Sequence, residues 1–507
     1  MSEKNRKGTS QEFNLKTFSL MYRIRIAIDP QLKKRYGPEI SWAWRLLLSG
    51  MGFYWQEVSL NHSTLDIAYV TNFAHANHAR VCMLANLQAW ENMTNYRLHS
   101  LDYFDDWSYP IYQNEDSCFP PIYIFNSALV CQRDFIFDVY WLATGQEEKY
   151  CQKNKHGHII LDKMIFSEKK ALRLALASCI GFNLQNILLE LGFPKPIPRW
   201  PLGKCAAACV GHDVDYPEIV KWLEPLRVLL RQGFNGFQTA IGVLKGKKKH
   251  WHFSSWIQME KILNIRSAFY FVARQGSLFE YITGTPDPFY DIRSKHFRQL
   301  FDFLNEMNFE ICLHASYFAY KSKEKFSAEK KLLEEVCGQK ICGNRHHYFH
   351  LDPNDLESTL FMHEQIGLKY DTSLSHERYV GWRRGLTWPF FPFHQGKRKE
   401  LKTLQIPTAW MDDHLFGYKN CNPGNRVQIL RALVDKTAEQ GGCLLVDVHQ
   451  YVYDEDLFPG WTKTYQDLLE YVTARSDFWI DTPGRIADHW IDRYASILEA
   501  SYGLTGE

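Results

Sequence analysis

The sequence predicts an α/β protein in which a parallel barrel fills roughly the C-terminal three-fifths and a smaller mixed α/β domain precedes it. After residue 205, short apolar strands alternate with helical stretches, which is the pattern of parallel βα units. Four prolines within residues 192–201 predict a domain boundary, because proline continues neither a helix nor a central strand. Aspartate and histidine follow several of the strands, and in a parallel barrel all carboxyl ends meet at one face.

Composition narrows the class of protein. A chain of 507 residues is longer than a domain with a single hydrophobic core usually is, so two domains are expected. With 59 basic and 57 acidic side chains the net charge is +2, which argues against a dedicated nucleic-acid binder. Twelve cysteines without a tight framework favour reduced thiols. The polar N-terminus and the lack of a long apolar run predict neither signal peptide nor transmembrane helix. We expect a cytoplasmic protein, with peripheral association at the inner membrane left open.

The N-terminal part is divided in order along the chain. Residues 1–20 are predicted to be a flexible polar arm, and residues 21–195 a mixed α/β domain of unknown role. Residues 135–142 form an aromatic-rich apolar run, and residues 168–191 have the apolar spacing of a long helix.

The predicted barrel domain covers residues 200–495. Its predicted strands are 205–210, 265–273, 309–314, 341–347, 368–371 and 443–449. Its predicted helices are 295–307, 328–336, 352–367 and 425–440.

Ionisable side chains cluster at the ends of five of these strands. They are Asp213 and Asp215, His314, Arg345 and His347, Asp371, and His449. Residues two apart on an extended segment point the same way, so one of Asp213 and Asp215 could bind a divalent metal while the other acts as a base. Imidazoles with one carboxylate suit zinc and leave a position for water, and His449 could protonate a leaving amine.

The order of these motifs resembles one family. The segments are Asp213-Val-Asp215, Glu310-Ile-Cys-Leu-His314, Gly343-Asn-Arg345-His-His347, Tyr370-Asp371-Thr-Ser and Leu445-Val-Asp-Val-His449. Together they resemble the polysaccharide deacetylases, the NodB-homology group, over about residues 200–490. The stretch from Gly381 to Phe393 with Gln405-Ile-Pro407 is similar to a branch found with bacterial surface-polysaccharide genes, in which a separate N-terminal domain comes first.

The resemblance implies an irregular (β/α)7 barrel and a hydrolase that removes an N-acetyl group from a sugar of a surface polysaccharide or its precursor. It implies that Asp213 is the base for metal-bound water and that Asp215 and His314 are metal ligands. It further implies that Arg345 holds Asp213, that His449 is the general acid, and that Asp371 is an orienting acid at the mouth. Zinc is the preferred metal.

The chain departs from the family in a longer gap between Asp215 and His314 and at one expected metal ligand. The family's second motif has two histidines four residues apart, whereas Phe318 stands four residues after His314. A phenyl ring cannot bind zinc, so His347 or its neighbour His346 supplies the missing ligand, or the metal site is lost. The alternative function is therefore a catalytically degenerate module that binds glycan or scaffolds a polysaccharide assembly complex. A hydrolase of the same fold acting on another carbon–nitrogen bond is a further alternative.

Candidate contacts to a substrate are Trp388, Arg383 and Tyr317, since aromatic faces stack on sugar rings. The basic run at residues 242–250 is interpreted as a solvated loop, or else as a contact for a phosphorylated or lipid-linked sugar carrier. The expected partner is an N-acetylated glycan or a lipid-linked sugar, no nucleic acid is expected, and a homodimer is left open.

Overall fold

The described part of the chain leaves out short segments and both termini. A computed structural model describes residues 22–76, 78–104, 107–112, 121–160, 175–283, 287–416 and 423–502. The arm predicted at residues 1–20 lies outside these ranges, as do the first residues of the helix predicted at 168–191. No helix within the described ranges is long and apolar enough to cross a membrane.

The N-terminal region is built on a six-stranded sheet. Its strands are β1 (Ile24–Ile28), β2 (Trp55–Glu57), β3 (Ile67–Val70), β4 (Val81–Leu84), β7 (Ile122–Phe125) and β8 (Ala128–Cys131), while β5 (Leu98–Phe104) and β6 (Trp107–Tyr112) form a separate antiparallel pair. The order is β2-β1-β3-β4-β8-β7, parallel except between β7 and β8. The helices of this region are α1 (Pro30–Met51), α2 (Leu87–Glu91), α3 (Phe135–Ala143) and α4 (Leu176–Glu190).

Helix α1 begins and ends where its sequence requires. The Asp29 carboxylate accepts a hydrogen bond from the Gln31 N–H, and Pro30 occupies the first turn, where its missing N–H costs nothing. Gly52 closes the helix at φ 97°, a left-handed conformation that favours glycine.

The second region is a curled, entirely parallel sheet of nine strands. They are β9 (Ala206–Val214), β10 (Ala268–Phe271), β11 (Glu310–Ala315), β12 (Gly343–His346), β13 (Tyr370–Asp371), β16 (Leu404–Gln405), β17 (Thr408–Met411), β18 (Cys443–Asp447) and β19 (Phe478–Ile480). The order is β16-β13-β12-β11-β10-β9-β18-β17, and β19 pairs with β9. A small antiparallel pair, β14 (Phe393–His394) and β15 (Lys399–Glu400), lies outside this sheet.

Among the described residues of the second region, eleven helices accompany this sheet. They are α5 (Glu224–Gln232), α6 (Phe237–Leu244), α7 (Phe253–Ile262), α8 (Leu278–Thr283), α9 (Lys295–Glu306), α10 (Lys323–Cys337), α11 (Leu356–Gln365), α12 (Asp413–Phe416), α13 (Pro423–Glu439), α14 (Trp461–Thr473) and α15 (Pro483–Tyr502). The predicted fold class is confirmed, namely an irregular parallel α/β barrel preceded by a mixed α/β region with its own sheet. The division into domains at residues 195–200 stays a prediction.

The two regions share a core. One cluster of buried apolar side chains runs from Ile26 in the N-terminal sheet, through Trp42 and Trp388, to Cys209 and Tyr270 inside the barrel. A second cluster fills the space between the barrel strands and the helices around them. The barrel interior therefore continues into the N-terminal core.

Trp388 joins the two regions. Its side chain is fully buried, and a Cβ at Gly50 of α1 would lie 2.9 Å from its Nε1. A Cβ at Gly181 of α4 would lie 2.8 Å from the far edge of the same ring, and the Arg199 guanidinium lies 5.0 Å from the ring centroid. The two glycines therefore make the space that the indole fills.

We expect Trp388→Ala to lower the free energy of unfolding by about 3–5 kcal/mol, because it leaves a large cavity between the regions. Chemical denaturation followed by intrinsic fluorescence and circular dichroism measures this change. Trp222→Ala is the matched control, since Trp222 is exposed and its removal leaves no cavity. Equal stability of the two variants would contradict the role of Trp388.

Candidate metal centre

Neighbouring strands bring most of the predicted site residues to one edge of the barrel. Asp213 lies in β9, His314 in β11 and Arg345 in β12, and Asp215, His347 and His449 lie just beyond the ends of β9, β12 and β18. Register places His314 beside Arg345, and β9 pairs with both β10 and β18. All these side chains are buried, with at most 9% of any exposed.

Three of the side chains converge. One ligand atom each of Asp215, His314 and His347 lies within 4.8 Å of the other two. His314 Nε2 is 3.3 Å from Asp215 Oδ1, and His347 Nε2 is 3.4 Å from Asp215 Oδ2. The two Nε2 atoms and Asp215 Oδ1 are buried and have no hydrogen-bond partner among the described residues. Buried polar atoms without partners are costly, so this group fits a divalent cation as its missing partner.

The opposite nitrogen of each imidazole fixes its orientation. His314 Nδ1 is 2.9 Å from the Arg345 carbonyl oxygen, which can only accept, so Nδ1 carries the proton and Nε2 presents its lone pair. His347 Nδ1 is 3.2 Å from Asp287 Oδ1, the carboxylate–histidine arrangement that supports many metal ligands. Burial opposes the charge on His347, but Asp215 and then Asp287 outweigh it and raise its pKa to about 10.

The backbone turns sharply after His347. Tyr348 and Phe349 have φ values of 59° and 49°, a left-handed conformation that is costly for bulky residues. Two such residues in succession turn the chain back immediately after β12, and His347 remains at the strand end.

A buried arginine holds the second carboxylate. Arg345 Nη1 donates to Asp213 Oδ1 at 2.7 Å and lies 2.6 Å from Asp447 Oδ1, and Nε donates to Thr372 Oγ1. Burial favours the neutral acid, but the Arg345 charge holds the pKa of Asp213 below its usual value. Burial raises the pKa of Asp447 well above its usual value. One guanidinium between two carboxylates thus leaves Asp213 as the ionised partner.

Gly211 makes room for this arginine. A Cβ at Gly211 would lie 2.8 Å from Arg345 Nη2 and 2.7 Å from the Tyr270 ring. The guanidinium carbon lies 4.2 Å from the centroid of that ring, so the cation is stacked as well as paired.

His449 forms a separate dyad at the same mouth. Its Nδ1 is 2.8 Å from Asp412 Oδ1, and its backbone N–H donates to Asp412 Oδ2 at 2.8 Å. Its Nε2 faces Asp215 Oδ2 at 3.4 Å. Burial opposes the imidazolium, but Asp412 outweighs burial and the pKa of His449 lies well above its usual value. This histidine is therefore set up to hold a proton at the mouth.

Two of the predicted site residues, Asp371 and His346, belong to a different cluster of side chains. The Asp371 carboxylate accepts hydrogen bonds from Asn344 and Ser373. His346 Nε2 is 2.9 Å from His363 Nε2 of α11, and His363 is 3.9 Å from Asp371. Strand alternation explains this, because Arg345 and His346 point to opposite faces of β12. His347, and not His346, therefore lies beside Asp215, and no described contact joins Asp371 to that group.

The three predicted substrate contacts lie at different depths. Trp388 is buried between the two regions, so it presents no face to a ligand. Arg383 pairs with Glu148 of the N-terminal region at 2.7 Å. Tyr317 is close to the candidate metal centre, since its backbone N–H donates to Asp287, which also contacts His347, and its hydroxyl lies 2.6 Å from His156 Nδ1.

Three carboxylates of the site were not predicted from the sequence. Asp447 stands two residues before His449 in the same strand motif, and that spacing could have indicated it. Asp412 directly follows the apolar strand β17, a weaker form of the same signal. Asp287 stands between two prolines of the sequence, Pro286 and Pro288, where no periodicity marks it.

Comparisons with known proteins give only distant likenesses. No protein-family model matches the chain, and no curated protein does. A solved structure named as a polysaccharide deacetylase from Mycobacterium smegmatis matches at 16% identity and TM-score 0.38, over 58% of this chain and 93% of that one. The Puue allantoinase matches at 16% identity and TM-score 0.39, over 60% of this chain and 96% of that one. A polysaccharide deacetylase from Bacillus cereus matches at 12% identity and TM-score 0.28, over 55% of this chain and 91% of that one. These three solved structures are thus named as two polysaccharide deacetylases and an allantoinase.

Proposed function

We propose that this protein is a divalent-metal-dependent hydrolase that removes an N-acetyl group from a sugar of a surface polysaccharide or its precursor. The observation that carries the proposal is the set of three buried, unpartnered ligand atoms on Asp215, His314 and His347. The two ion pairs beside it, Asp213–Arg345 and Asp412–His449, support a hydrolase over a simple metal site.

Two imidazoles and one carboxylate are the ligand set of open catalytic zinc sites, and zinc is the metal we propose. A metal held there would lower the pKa of a coordinated water and polarise the acetamide carbonyl. His347 takes the place of the second histidine that the family motif would have at Phe318. A ligand at the end of β12 thus replaces one after β11, and the proposed site keeps three ligands.

The chain's own residues would divide the proton transfers. Asp213, kept ionised by Arg345, would accept the proton of the attacking water. His449, held protonated by Asp412, would donate to the departing nitrogen of the sugar. Burial of the group excludes bulk water and strengthens both interactions. Acetate and a free amine would be the products.

A metal-content measurement tests the ligand set. We expect about one zinc per purified chain by elemental mass spectrometry, and loss of that zinc in His314→Ala and in His347→Ala. His346→Gln is the control, because the neighbouring imidazole contacts His363 and not Asp215. Zinc retained in His347→Ala but lost in the control would contradict the ligand set.

Acetate release tests the reaction. We expect the zinc-loaded protein to release acetate from an N-acetylglucosamine tetramer, and Asp213→Asn to lower kcat by about 10²–10⁴ with zinc content unchanged, because it removes the base. Asp435→Asn, an exposed carboxylate outside the site, is the control and keeps full activity. Stoichiometric zinc without acetate release from this or other N-acetylated sugars would favour the degenerate glycan-binding module.

A further inference from the structure

An exposed helical hairpin leaves the barrel between β9 and β10. It comprises α5 (Glu224–Gln232), a turn at Gly233–Gly236, α6 (Phe237–Leu244) and the basic loop that follows at residues 245–249. With the preceding residues 221–223 it is called the 221–249 hairpin below. The basic run at residues 242–250 was interpreted above as a solvated loop or as a contact for a phosphorylated or lipid-linked sugar carrier, and the helices in front of it were not predicted.

The hairpin concentrates exposed apolar side chains. Of nineteen exposed large hydrophobic side chains in the described ranges, seven lie within residues 222–244. They are Trp222, Leu226, Leu229, Leu230, Phe234, Phe237 and Leu244. Leu230 is 77% exposed and Phe234 is 98% exposed. Single exposed apolar residues are common, whereas a contiguous group marks an interaction surface.

Helical spacing places the exposed leucines of α5 on one face. Leu226, Leu229 and Leu230 recur at intervals of three and four, which in a soluble protein is the stripe that faces the core. Here Val228 is buried against the barrel and the leucines face outward. The hairpin is therefore amphipathic with its apolar face on the outside.

Exposed lysines stand at the two sequence ends of the hairpin. Lys221, Lys245, Lys247 and Lys249 are exposed, and none of them forms an ion pair with another described residue. The Lys221 ammonium lies 3.9 Å from the position of a Cβ at Gly246, so it belongs to the same group as the loop lysines. Lys248 instead pairs with Asp454 and Asp456, which attaches the loop to the barrel.

The hairpin lies on the side of the barrel where the candidate metal centre opens. The Arg231 guanidinium is 4.3 Å from the Phe458 ring centroid, and Phe458 contacts Tyr451 with centroids 5.3 Å apart. Tyr451 in turn contacts His449 at 5.4 Å. Only two aromatic side chains separate the hairpin from the proton-holding histidine.

We propose that the 221–249 hairpin docks this protein on the surface of an anionic lipid bilayer. Exposed Trp, Phe and Leu beside Lys are the composition of helices that lie in a membrane interface. Anionic headgroups complement the lysines, whereas a second copy of the same face would bring like charges together. Docking does not depend on the proposed activity. If that activity holds, docking brings a lipid-linked sugar to the mouth of the barrel.

Vesicle co-sedimentation of the full chain tests the proposal. We expect binding to vesicles of equal parts phosphatidylcholine and phosphatidylglycerol, and binding at least about tenfold weaker to phosphatidylcholine alone, because lysine attraction is lost. The triple variant Leu230→Ser, Phe234→Ser, Phe237→Ser should bind the anionic vesicles about tenfold or more weakly than the wild type does, because its exposed apolar side chains are gone. All three side chains are exposed, so folding is unaffected, which thermal melting checks.

Ile262→Ser is the matched control. Ile262 is 78% exposed but lies at the end of α7 that precedes β10, on the opposite side of the barrel. This variant should bind vesicles as the wild type does. Absence of wild-type binding, or equal binding by the triple variant, would overturn the proposal. A dimer in sedimentation velocity that the triple variant abolishes, without vesicle binding, would assign the face to a second copy.

Discussion

The guanidinium of Arg345 between Asp213 and Asp447 is the interaction on which the rest of the barrel mouth depends. A buried charge is tolerated only when it is paired and hydrogen-bonded, and Arg345 is fully buried. Removal of Arg345 would leave Asp213 as an uncompensated charge in a low-dielectric interior. The small residue at Gly211, the Tyr270 ring and the Thr372 hydroxyl are all arranged around this cation. The same guanidinium keeps one carboxylate ionised beside Asp215, His314 and His347, the candidate metal ligands.

The interaction also connects the strands. Arg345 comes from β12, its partners Asp213 and Asp447 from β9 and β18, and its own carbonyl oxygen orients His314 of β11. One residue thus links four strands of the parallel sheet. Rigid strands position side chains more closely than loops do, which suits a site whose ligand atoms must converge.

Strand-ending polar residues made the position of the candidate site predictable, since parallel strands deliver their last residues to one edge. That rule was sufficient to predict that Asp213, Asp215, His314, Arg345, His347 and His449 lie close together, while their roles stay predictions. It did not reveal that Asp371 contacts Asn344 and Ser373 instead, because the rule gives the end of a strand and not the face to which its side chain points. It also could not reveal Asp287, whose contact with His347 depends on a loop without periodicity. The fold class followed from the alternation of strands and helices. The 221–249 hairpin was missed because its apolar stripe looks like that of a core helix, and sequence alone does not show which side is covered.

The core that runs from the N-terminal sheet into the barrel has a consequence for how the protein is divided. Two separate sheets suggest two independent modules, yet the apolar side chains around Trp42, Trp388 and Phe393 belong to a single cluster. If the chain were cut at the proline-rich segment, indole and phenyl rings of the C-terminal part would be exposed to water. They would form a large exposed apolar patch that is prone to aggregation. The apolar core of the N-terminal region is thus continuous with that of the barrel, so we expect the two regions to unfold together.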